Sequence, residues 1–143
     1  MNCKHGFRKS SDRSLNSYAA GIDLEYSMEI ERFAAIKRRS DMVRYDNHLY
    51  IGGQVATDLS GDIEAQTHEV LAGIEQLLLS AGSDRTRVLS VRILLAHRED
   101  YEGLNRVWDE FFPAGHTPTR ACTLAQLIDP GWRVEMIVVA ACA

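Results

Sequence analysis

At 143 residues, with 45% hydrophobic and 25% charged side chains and a net charge of −4, the chain has enough apolar material for one core and no more. The charge is uneven: residues 1–40 carry eight Lys/Arg against five Asp/Glu, and residues 41–143 carry eight against fifteen. The larger part therefore repels a phosphate backbone, which argues against nucleic acid as a partner.

Residues 1–28 are polar and Ser-rich and read as an N-terminal extension, expected to be flexible, before a single domain over residues 29–143. No apolar stretch there has the length of a signal peptide or spanning helix, so no membrane partner is expected. Three cysteines, Cys3, Cys122 and Cys142, are an odd number without metal-ligand spacing. They fit reduced thiols in a cytoplasmic protein, with no metal and no disulfide framework.

Met42 to Tyr45 and His48 to Ala56 read as two strands of an antiparallel hairpin around Asp46-Asn47. From Asp62 the period changes: Ile63, Thr67, Val70, Leu71, Ile74, Leu77, Leu78 and Ala81 recur at helical spacing, with Asp62 and Glu64 at the start and Gly82 as the stop. Val88 to Leu95 reads as a strand with Leu89, Val91, Ile93 and Leu95 on one side. A second helix starts near Asp100, carries Tyr101, Leu104, Trp108 and Phe111 along one side, and ends at Pro113. Two extended segments follow, Pro118 to Cys122 and Gly131 to Ala141, joined across a turn at Asp129-Pro130-Gly131. The pattern predicts an α/β chain of the α+β kind, a mixed β-sheet with both helices on one face.

The run Met136-Ile-Val-Val-Ala-Ala141 is apolar at both strand parities, so it expects cover on both sides. In so short a chain the second cover is expected from another copy. Alternation also groups Arg120 with Cys122 and Leu124, and Glu135 with Ile137 and Val139. The short turn between the two segments predicts that Arg120 and Glu135 share one cleft, either as a structural ion pair or as a binding and catalytic pair.

Pro118-Thr-Arg-Ala-Cys122, then Val134-Glu and a small apolar run ending in Ala-Ala, resembles the C-terminal signature of the YjgF/RidA family of small trimeric imine deaminases. Leu49-Tyr-Ile-Gly-Gly-Gln-Val55, Asp62-Ile-Glu-Ala-Gln-Thr67, Ala81-Gly-Ser-Asp84 and Asn105-Arg-Val-Trp108 before Phe111-Phe112 agree in order. The match covers roughly residues 32–142, and Gly115-His-Thr-Pro-Thr-Arg120 is closer to the divergent branch related to YoaB. The resemblance implies a chorismate-mutase-like homotrimer with a central barrel and sites between subunits. It implies hydrolysis of 2-imino acids to 2-keto acids and ammonia without a cofactor. Arg120 would hold the substrate carboxylate, Glu135 would position water and move its proton, and backbone groups at Cys122 would complete the cradle. Asn105 matches a family position lining the cleft, although on residues alone it reads more often as a polar surface or capping group.

Two positions depart from the family pattern. Gly52 stands where the deaminases carry serine, and Arg39 falls where they carry an active-site tyrosine. Arg39 is expected either to add a second anion contact or to be solvated surface. These losses favour the alternative of a non-catalytic module that binds small carboxylates. His5, His48, His68, His97 and His116 show no metal spacing; His116 is expected to be a loop residue, with bordering the cleft and assisting proton transfer as the alternative. Trp132 is expected to pack at an interface.

Overall fold

A computed structural model describes residues 29–142. The expected N-terminal extension, including Cys3 and His5, lies outside the described residues. Its elements are β1 (Glu31–Phe33), β2 (Met42–Tyr45), β3 (His48–Val55), α1 (Ile63–Ser80), β4 (Val88–Leu95), α2 (Tyr101–Phe111), β5 (Thr119–Leu124) and β6 (Val134–Ala141).

Local chemistry accounts for most boundaries. Tyr45 pairs with His48 across Asp46-Asn47, with Asp46 at φ 54°, so the two-residue turn sets the β2–β3 register. Asp62 caps α1 by accepting a hydrogen bond from the Ala65 amide at 2.9 Å. Gly82, at φ 71°, ends it: the Gly82 amide donates to Leu79 O and the Ser83 amide to Leu78 O, which satisfies carbonyls the last turn leaves open. Along α1, Ile63, Thr67, Val70, Leu71, Ile74 and Leu78 are buried, as their spacing predicts. The three-residue β1 is too short for any alternation to announce it, and only its pairing with β2 makes it a strand.

The strands form one sheet in the order β1-β2-β3-β6-β4-β5, antiparallel except for the β4–β5 pair that α2 connects. Both helices lie on one face, over a core that includes Leu49, Ile51, Val91, Ile93, Leu95, Met136, Val138, Leu78 and Leu104. One expectation on β4 is corrected. A register shift between Val88 and Ser90 buries Val88 and turns Leu89 outward, so Leu89 does not share the face of Val91.

A second correction matters more. Pro118–Cys122 and Gly131–Ala141 do not pair as a hairpin, because β4 lies between β5 and β6 and Leu94 pairs with both Thr123 and Glu135. The connection is an arch over the end of β4 rather than a tight turn. The Ala125 amide donates to Leu95 O, and the Ala96 amide donates to Arg133 O. Gln66, buried on α1, fixes the far side of the arch by donating to Gly131 O and accepting from the Arg133 amide, each at 2.9 Å.

The other face of the sheet has no cover among the described residues. Met136, Val138 and Ala140 of β6 are buried, whereas Ile137, Val139 and Ala141 are only half-buried on the open side. Tyr50, paired with Val139, is 48% exposed beside His48 on the same face. The two-sided apolar pattern of β6 is thus satisfied on one side only. Among the described residues, no helix is long and apolar enough to cross a membrane.

Candidate functional site

Arg120 occupies the edge strand β5, opposite Val91 on the helix side of the sheet. Its side chain is held against α2 by three residues spaced along that helix. Nη2 donates to Asn105 Oδ1 at 2.6 Å and to the Tyr101 hydroxyl at 3.3 Å. The guanidinium carbon sits 4.9 Å from the Trp108 ring centroid and 5.6 Å from that of Tyr101, a geometry in which the ring faces stabilise the cation. Among the described residues no carboxylate pairs with Arg120. Since Nη2 makes both hydrogen bonds, Nε–H and Nη1–H remain available for an incoming anion.

Glu135 stands near the start of β6, between Val55 of β3 and Leu94 of β4. It is half-buried, and it makes no ion pair among the described residues. Its carboxylate lies on the backbone of Gly53: a Cβ built there would fall 2.0 Å from Oε1. The reason is a β-bulge, since Gly52 and Gly53 together oppose the single residue Ile137 between the Ile51–Val138 and Gln54–Met136 pairs. The expectation of close approach at Gly52-Gly53 therefore takes a specific form, and Gly53 is the glycine that the approach requires. Gly52 is different. A Cβ there would meet Asp41 O and Ser40 O at an ordinary 3.6 Å, so the position has room for the serine it lacks.

The expectation that Arg120 and Glu135 share a cleft within one chain is corrected by the register. Arg120 pairs with Val91 and Val91 with Val138, whereas Glu135 pairs with Leu94 and Leu94 with Thr123. Directly paired residues point to the same face and neighbours along a strand to opposite faces. Arg120 thus lies with the helices and Glu135 on the open face, on opposite sides of the sheet. The alternation that groups Arg120 with Cys122 and Leu124, and Glu135 with Ile137 and Val139, holds.

Cys122 follows Arg120 on the same side of β5 and is half-buried against Ile93. Burial pushes its thiol above the ordinary range, with the Arg120 charge pulling back against that rise. Arg39 is exposed, with 62% of its side chain in solvent, and is engaged by Asp41. Its segment passes beside Gly52, whose amide donates to Asp41 O. His116 lies exposed in the loop before β5. Among the described residues no three His, Cys, Asp or Glu side chains converge as metal ligands would.

Several participants escaped pattern reasoning. Trp108 sits at core spacing and is buried, but one face of its ring serves Arg120. Tyr101 reads as a core residue of α2, yet it is exposed and hydrogen-bonded to Arg120; its i, i+4, i+7 spacing with Asn105 and Trp108 was the available signal. Asp100, only 4% exposed, accepts two hydrogen bonds from Arg133, at 2.8 and 2.9 Å. That pair ties the start of α2 to the residue two before Glu135.

Two residues along β5 from Arg120, an open groove of about 730 Å³ is lined by Leu95, Tyr101, Cys122 and Leu124, together with the charged Arg98, Glu99 and Glu102.

Comparison with known proteins adds lineage to this geometry. The model of the family described as Endoribonuclease L-PSP matches residues 29–142. The RutC family protein YoaB of Escherichia coli strain K12 is 39% identical over 114 residues, which cover 80% of this chain and 99% of that protein. A 2-iminobutanoate/2-iminopropanoate deaminase of Capra hircus is 31% identical over 113 residues, covering 75% of this chain and 82% of the deaminase. A solved structure of an uncharacterized protein from Pseudomonas aeruginosa is 66% identical, with a TM-score of 0.80, covering 80% of this chain and all of that one. The chain therefore belongs to the endoribonuclease L-PSP family, the YjgF/RidA family whose motifs it carries, and is related to its RutC/YoaB branch.

Proposed function

We propose that this protein hydrolyses reactive 2-imino acids to 2-keto acids and ammonia, in clefts formed between three copies of itself. The observation that carries this reading is a pair of unmatched charges. Arg120 and Glu135 are both half-buried, neither has an ion-pair partner among the described residues, and they stand on opposite faces of one sheet. Leaving a part-buried charge unpaired is costly unless water or another group completes it. The open face of β6 is apolar and invites another copy, and a cyclic assembly would set one subunit's Glu135 beside the next subunit's Arg120. The deaminase named among the relatives supports the chemistry.

In this reading the free Nη1–H of Arg120 binds the substrate carboxylate by a charge-assisted hydrogen bond, while Asn105, Tyr101 and Trp108 keep the guanidinium from turning. Glu135 of the adjacent copy holds a water and accepts its proton as the oxygen adds to the imine carbon. The C=N electron pair passes to nitrogen, which is protonated. The tetrahedral adduct then expels ammonia as its hydroxyl loses a proton and the C=O forms. Water is consumed, and no electrons are exchanged with an outside group. Cys122 contributes backbone polar groups to the cradle and keeps its thiol protonated. Arg39, engaged by Asp41, has no part in the step. Ribonuclease action fits poorly with fifteen acidic against eight basic residues over 41–143.

Iminopropanoate generated in situ by an amino-acid oxidase provides the test, with release of the keto acid followed for the parent, Arg120→Ala and Glu135→Ala. The parent is expected to accelerate release, and each substitution to lower the rate about 10²-fold or more. No acceleration by the parent would sink the catalytic reading. The absent hydroxyl at Gly52 favours one second reading, capture of a small carboxylate without turnover. It would show as 2-keto acid binding that Arg120→Ala abolishes in a protein that accelerates nothing.

A further inference from the structure

We infer that the groove along β5 from Cys122 to Leu124, which Tyr101 joins to Arg120, receives the side chain of the bound acid, so that the site favours 2-imino and 2-oxo acids with an extended, uncharged side chain. The inference rests on the reading that Arg120 holds the carboxylate. Arg120, Cys122 and Leu124 share one face of β5, and at about 3.3 Å per residue they span about 13 Å. Tyr101 connects Arg120 to the groove, because its hydroxyl meets Arg120 and its side chain lines the groove. An acid anchored at Arg120 therefore has an apolar lane beside its C2 substituent, over Cys122 and Leu95 toward Leu124.

The lining decides what fills the lane. Leu95 is buried beneath it, while Leu124 is 58% exposed, an apolar area that gains from being covered. The charges that line the groove are Arg98, Glu99 and Glu102, of mixed sign, so a charged side-chain tip of either sign meets repulsion as well as attraction. A methyl group, as in iminopropanoate, reaches none of Leu124. Each methylene laid on apolar surface is worth about fourfold in affinity. Three of them predict at least tenfold, allowing for the groove being open.

The test compares binding of 2-oxopropanoate and 2-oxohexanoate by isothermal calorimetry to the parent, Leu124→Asp, Leu124→Met and Arg120→Ala. The parent is expected to bind the longer acid at least tenfold more tightly. Leu124→Asp should bring that ratio close to one, Leu124→Met should keep it, and Arg120→Ala should weaken both acids together. A parent ratio near one, or a ratio that survives Leu124→Asp, overturns the inference. Binding is read without turnover, so the two claims separate. A tenfold ratio in a protein that hydrolyses no imine supports the groove and counts against catalysis alone.

Discussion

Arg120 shows how little of a charged residue's role lies in its own position. Its charge is placed by β5, but its direction is set by Asn105, Tyr101 and Trp108 on α2. An arginine fixed in this way loses less side-chain freedom when it binds a carboxylate, which is the physical basis for assigning it the anchoring role. Cys122, two residues along, gives a pH-dependent check. Burial raises its thiol pKa above the ordinary 9.0, and the Arg120 charge lowers it in part. Alkylation of Cys122 by iodoacetamide, followed by peptide mass spectrometry, is expected to reach half its maximal rate above pH 9.0, and higher still in Arg120→Ala. A midpoint at or below 9.0 contradicts the assignment. The linked effect on stability has one sign. The unfolded chain ionises this thiol first, so stability falls as pH rises past the unfolded value.

At the scale of elements, the arch from β5 to β6 and the start of α2 are held by the same contacts. Gln66 bonds Gly131 and Arg133, and Asp100 pairs with Arg133 by two hydrogen bonds. Asp100→Asn leaves a guanidinium without its counter-charge and is expected to cost about 3 kcal/mol by urea unfolding. That is the low end for breaking a buried pair, because Arg133 keeps 35% of its side chain in water. A loss below about 0.5 kcal/mol would place the pair with ordinary surface bridges. This bracket was invisible in the sequence, since Gln66, Asp100 and Arg133 meet only once the sheet order is known. The helices, the β2–β3 hairpin and β4 were legible because each carries its own period and stop signals, such as Asp62 and Gly82 for α1. The place of β6 was not. Asp129-Pro130-Gly131 reads as a tight turn, and nothing local reveals that β4 inserts between the segments it joins. The bulge at Gly52-Gly53 was signalled by its glycines, but the side chain it admits, Glu135, comes from 82 positions further along the chain than Gly53.

For the whole molecule, one sheet separates Arg120 from Glu135. Residue types and the family motifs singled out Arg120 and Glu135, and strand parity assigned each to a face; pairing register alone shows that they lie on opposite sides of the sheet. The proposed assembly would unite them, with the open face of Tyr50, Ile137 and Val139 as the contact and a Glu135 from one copy meeting an Arg120 from the next. Co-expression of Arg120→Ala and Glu135→Ala subunits at equal levels tests this claim most directly. In a closed trimer every mixed assembly contains one seam with an intact Arg120 on one side and an intact Glu135 on the other. Random mixing therefore restores about one site in four, and the rate of keto-acid release from iminopropanoate should return to about a quarter of the parent rate. A mixture no more active than either variant alone would contradict the account.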